Sequence, residues 1–77
     1  MVRIENIKRN GDVVTMDCYA EGKKDKYFYL EMNCNTFQII SNTVPDMSVY
    51  ESHARQCIRK LLMHGNALPN HTTSMWY

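Results

Sequence analysis

A chain of 77 residues, 44% hydrophobic and 22% charged, with a formal net charge of +1, has the length of one small domain, able to withdraw only about 60% of its unfolded surface from water. The near-neutral charge excludes a global field that would draw the protein onto nucleic acid or anionic lipid, so any such binding has to be local. No stretch reaches the roughly 20 consecutive apolar residues of a membrane span.

The opening "MVRIENIKRNGD" carries charges where a secretory leader needs an apolar run. Three cysteines, Cys18, Cys34 and Cys57, are too few and odd in number for a secreted disulfide framework. The expectation is a cytoplasmic protein with free thiols and no membrane contact. Six methionines imply a soft interior that tolerates irregular packing.

Residues 2–8 and 13–20 read as two strands joined around Asn10-Gly11, a pair suited to hairpin turns. A two-residue loop, Asn10-Gly11, pairs Arg9 with Asp12 and sets Glu5 opposite Met16 and Arg3 opposite Cys18, mixing charged and apolar groups on one face. A three-residue loop, Asn10-Gly11-Asp12, pairs Ile4 with Cys18 and Val2 with Ala20 instead, which gathers the apolar residues. The longer loop is therefore expected, with Gly11 or Asp12 left-handed and a bulge beside it.

The polar "EGKKD" turns the chain into a third strand over 26–33. Pairing Ala20 with Lys26 puts Cys18 opposite Phe28, Met16 opposite Leu30 and Val14 opposite Met32, continuing the buried face. Asn33 and Asn35 suit the next turn, and 37–41 reads as a fourth strand. The hairpin "LEMNCNTFQII" is loosely similar to the Asp-x-x-Thr-Gly-Glu hairpins of many small α+β domains, with Phe37 where those carry glycine; the pattern is too widespread to name a family.

After Pro45 the apolar period changes from two to 3.6, predicting a helix over 47–64. Ser48 and Glu51 form a capping-box pattern with Asp46 as a competing N-cap, and Gly65 suits a left-handed stop. Tyr50, Ala54, Cys57, Ile58 and Leu61 share an apolar arc with Met47 beside it, and His53 and His64 fall together on one flank. The arm 66–77 contains "TTSMWY", which has β-forming residues. The predicted fold class is α+β: an antiparallel four-stranded β-meander with one C-terminal helix packed on one face and a further strand from the tail, ββββα(β).

The spacing of His53, Cys57 and His64 raises a metal or thiol chemistry. Structural zinc takes four ligands, usually as two close pairs, and only His53 and Cys57 have suitable spacing. Cys57 also points toward the expected core, where desolvation raises a thiol's pKa. Glycine-rich phosphate loops and paired-carboxylate motifs are absent. The expectation is therefore no enzyme, no cofactor and no metal.

Two surfaces carry the functional reading. The outer sheet face sets Tyr19 opposite Tyr27, with Tyr29, Val13 and Ile7 nearby and Arg3, Lys8, Lys24 and Lys26 around them. The tail adds Trp76 and Tyr77, residue types favoured in interface cores, unless Trp76 packs back over the open sheet face or an edge. Arg55 and Arg59 form a weaker patch on the helix exterior. The expected role is a small protein-interaction module, a regulator or inhibitor of a larger protein of the kind carried by bacteria or their mobile elements. A homodimer through an exposed strand edge is the self-association version. The alternative is single-stranded nucleic acid stacked on the aromatic sheet face.

Overall fold

The computed structural model describes residues 1–44, 48–65 and 67–76. Five strands, β1 (Val2–Asn10), β2 (Val13–Ala20), β3 (Tyr27–Asn33), β4 (Ile39–Asn42) and β5 (Thr72–Ser74), form one sheet in the order β4-β3-β2-β1-β5. Every neighbouring pair is antiparallel. The helix α1 (Ser48–Met63) contributes Ala54 and Ile58 to the same buried cluster as the strands. The architecture is the expected ββββα(β), with the tail adding its strand beside β1.

Alternation along the central strands explains which face is buried. Val2 and Ile4 of β1, Val14, Met16, Cys18 and Ala20 of β2, and Phe28, Leu30 and Met32 of β3 all point inward and are buried. The β2–β3 ladder has the expected register throughout, including Cys18 opposite Phe28 and Met16 opposite Leu30. Burying this face against α1 is the main source of stability, at about 1.5–3 kcal/mol for each large apolar side chain fully removed from water.

The first hairpin reaches the expected Val2–Ala20 and Ile4–Cys18 pairing by a different route. Asn10 pairs with Val13, so the loop is the two residues Gly11 and Asp12, not three. Gly11 has φ +62° and Asp12 does not have a positive φ, the pattern of a tight hairpin turn with glycine first, whose twist matches the strands. The extra residue sits inside β1 instead: the register shifts between Glu5 and Lys8, so Asn6 and Ile7 together oppose Met16. Asn6 takes φ +52°, a conformation that asparagine adopts more readily than most residues.

The bulge also corrects the position of Ile7. It belongs to the core at 5% exposure rather than to the outer face, and its N–H donates to the Asn70 carbonyl at 3.0 Å. The tight turn keeps its preferred geometry while the strand upstream keeps its apolar side inward.

The β2–β3 connection includes a 3-10 turn at Lys24–Lys26, so β3 starts one residue later than expected. The fourth strand is likewise displaced, from 37–41 to Ile39–Asn42. Asn33 is the cause: its side-chain oxygen accepts from the backbone N–H of Asn35 and Thr36, at 2.7 and 3.0 Å. This wraps the turn further, and Phe37 closes it with φ +60° and an N–H bond to the Asn33 carbonyl at 2.9 Å. Phe37 thus adopts the conformation that glycine supplies in the similar hairpins.

The helix ends as expected. Gly65 has φ +69°, and its N–H donates to the Leu62 carbonyl at 3.1 Å. At the other end Glu51 accepts from the Asn42 side chain at 2.9 Å, joining α1 to β4. The expected contributions of Asp46 and Met47 lie outside the described residues. Among the described residues no helix is long and apolar enough to cross a membrane.

Candidate functional site

Because α1 covers one side of the sheet, the opposite side presents the other half of each strand's alternation. The ladders arrange it in three rows. Arg3, Tyr19 and Tyr27 lie side by side, then Glu5, Asp17 and Tyr29, then Lys8, Thr15 and Glu31. The tyrosines expected to meet, Tyr19 and Tyr27, do so, with ring centroids 5.4 Å apart and planes tilted by 49°. Such a cross-strand pair adds roughly 0.2–1 kcal/mol to a sheet.

Asp17 organises the centre of this face. One of its oxygens accepts from the Tyr27 hydroxyl at 2.7 Å and the other from the Asn6 side-chain amide at 2.8 Å. The hydrogen bond to Asp17, more than any other influence, pushes the Tyr27 phenol up to about 12, because ionising it would put two negative charges in contact. The Tyr29 phenol is raised as well, by partial desolvation and then by Glu31. Arg3 lies 3.8 Å from Glu5, an exposed ion pair of the kind that contributes little in water. The face is an aromatic surface with a carboxylate fixed in its middle.

The sequence reading gathers the tyrosines and sets Asp17 with Glu5 and Glu31 on the same face as solvated carboxylates, but gives neither Asp17 nor Asn6 a part in organising the rings. The signal was an asparagine inside an otherwise regular strand, the residue type that tolerates a left-handed bulge.

The other expected contact residues lie elsewhere. Trp76 stacks on His53 with centroids 3.8 Å apart and planes within 1° of parallel, and meets Tyr50 edge-on at 5.8 Å. It therefore packs against the flank of α1, on the side of the sheet away from Tyr19, Tyr27 and Tyr29, and not over the open face. Tyr77 lies outside the described residues. Arg55 is half-buried and Arg59 exposed on α1, and the Arg59 guanidinium sits 5.4 Å from the centroid of Phe37, a cation–π contact.

No family model, curated protein or solved structure matches this chain. The functional reading therefore rests on the chemistry of the surfaces themselves.

The stripe His53, Cys57 and His64 is gathered in space, along a groove between α1 and β5. Among the described residues no three His, Cys, Asp or Glu side chains group closely enough to hold a metal ion. Burial raises the Cys57 thiol, and a hydrogen bond from Thr72 and the charge of Lys60 only partly oppose it. A thiol in that environment is not activated as a nucleophile at neutral pH.

Proposed function

We propose that this protein is a small non-catalytic interaction module that binds another protein through the uncovered face of its sheet. The observation that carries the reading is the cluster of Tyr19, Tyr27 and Tyr29, from two adjacent rows, around a carboxylate, Asp17, already held in place by Asn6 and Tyr27. Tyrosine is enriched among interface residues that dominate binding, and a fixed carboxylate loses little freedom when a partner docks on it. Glu5, Asp17 and Glu31 interleave with the rings, which suits a partner presenting lysine or arginine beside apolar groups. These three carboxylates outnumber the two cations of the face, Arg3 and Lys8, which supports a protein rather than single-stranded nucleic acid as the partner. A role as regulator or inhibitor of a larger bacterial or mobile-element protein is the form of this proposal that fits the chain's size.

The test is recovery of the untagged protein from its own host, with and without nuclease, followed by native mass spectrometry. The expected result is a complex with a second protein that survives nuclease and is depleted for a Tyr27→Ala, Tyr29→Ala double variant whose thermal midpoint shows it to be folded. Nucleic acid in the complex, or equal recovery with the variant, overturns the assignment. A homodimer retained by the double variant does so too.

A further inference from the structure

On the helix side of the sheet, the groove between α1 and β5 has a different chemistry from the tyrosine face. Its volume is about 500 Å³, within the range of small-molecule sites at roughly 300–1,000 Å³. Its polar walls carry hydrogen-bond donors beside the Gln56 amide. Lys60 comes from α1 and His64 follows the helix's last residue, and the hydroxyl side chains of Thr72 and Ser74 lie on the same side of β5, whereas Thr73 pairs with Arg3 and turns its side chain to the outer face. The chain has eight Asp and Glu residues, yet none is among the described residues lining this groove. Several of those acids are engaged elsewhere: Asp17 on the outer face, Glu21 with the Tyr50 hydroxyl at 3.2 Å, and Glu51 with Asn42.

Leu61 and the Trp76 indole add apolar wall to the same groove. The stack on His53 and the edge contact with Tyr50 hold that indole in place. A concave site with a cation, hydroxyl donors and an apolar wall, and with no Asp or Glu among its described lining residues, is complementary to a molecule with one anionic end and one apolar end.

We propose that this groove binds a small organic anion, its carboxylate or phosphate against Lys60, His64 and the hydroxyls of Thr72 and Ser74 and its apolar body against Leu61 and Trp76. Lys60 supplies the charge. His64 donates through a ring N–H in either protonation state. The site lies apart from the tyrosine face, and the proposal does not depend on that face having a partner.

The experiment is an amide NMR titration of the full chain with phenyl phosphate, and with phenol as its uncharged counterpart. The expected result is saturable shifts at Lys60, His64, Thr72–Ser74 and the Trp76 indole, with phenol binding at least about tenfold more weakly, as loss of a charge-assisted contact implies. Lys60→Gln, at an exposed position, weakens phenyl phosphate by roughly fivefold or more while Lys23→Gln, which removes the same charge at another exposed position, leaves it unchanged. Equal affinity for phenol, equal losses in the two lysine variants, shifts centred outside the groove, or no saturation by about 10 mM would each overturn the proposal.

Discussion

Deleting Asn6 tests whether the bulge in β1 is a register device. In the structure Asn6 and Ile7 share one partner, Met16, and the pairs on either side are Glu5–Asp17 and Lys8–Thr15. With Asn6 removed, Ile7 falls opposite Met16, every other pair is kept, and the two-residue turn at Gly11-Asp12 is untouched. Ile7 still faces the core. The deletion loses the Asn6–Asp17 hydrogen bond, about 0.5–1.5 kcal/mol at most for a surface pair. It also removes a left-handed non-glycine residue, a conformation that costs roughly 1–2 kcal/mol in general and less for asparagine. The two terms nearly offset, so the variant is expected to fold with stability within about 1 kcal/mol of the parent.

Asn6→Val keeps the extra residue but places a β-branched side chain at φ +52° and removes the hydrogen bond, so it should lose about 2 kcal/mol or more. Urea denaturation gives both values, and a cross-strand nuclear Overhauser contact between Ile7 and Met16 reports the new register. A deletion that unfolds the chain or costs more than about 3 kcal/mol, a large share of a small domain's stability, would refute the reasoning.

The Tyr27 phenol should titrate near 12 rather than 10 by ultraviolet absorbance, and Asp17→Asn should return it toward the ordinary value. A folded-state pKa raised above the unfolded one stabilises the fold fully below pH 10 and loses that contribution as pH rises toward 12. Gly65→Ala should cost about 1 kcal/mol in thermal or urea denaturation. An added Cβ there meets nothing within 4 Å, so the cost comes from φ +69° alone. Cys57 should react slowly with a thiol reagent at neutral pH in the folded protein, because burial dominates its pKa; rapid labelling would reopen the enzymatic reading.

The buried face was legible because β2 and β3 alternate without interruption. Val14, Met16 and Cys18 against Met32, Leu30 and Phe28 admit one register that keeps apolar groups together. The first hairpin was only half legible. A longer loop and a bulge farther back give identical pairing at Val2 and Ile4, and the turn's own twist preference decides between them. Phe37 was hidden for a related reason. Its left-handed conformation follows from how the Asn33 side chain wraps the turn, and aromatic residues rarely announce such a position. At the surfaces, the Tyr19–Tyr27 pair followed directly from the ladder. The seat of Trp76 did not, because β5 pairs with β1, a strand about seventy positions away, and only that pairing brings the tail to the flank of α1. The same pairing turns one helix stripe into a groove by giving it a second wall.

The net charge of +1 conceals an uneven distribution that bears on what the sheet face binds. Stacking of single-stranded bases requires aromatic rings and cations in one groove. Here the tyrosine rows hold three carboxylates, Glu5, Asp17 and Glu31, against two cations, Arg3 beside Glu5 and Lys8 in the row of Glu31. Arg59 and Lys60 belong to α1 on the other side of the sheet, and Arg59 lies over Phe37. A nucleic-acid complex with several phosphate contacts loses on the order of a thousandfold in affinity between about 50 and 200 mM salt. Binding at the tyrosine face is expected to change by only a few-fold over that range, since its apolar contacts are not screened and its charges are of both signs and nearly balance. Measuring the recovered complex's dissociation constant across that salt series decides the point: a steep decline would mean that phosphates, not protein side chains, meet the tyrosines.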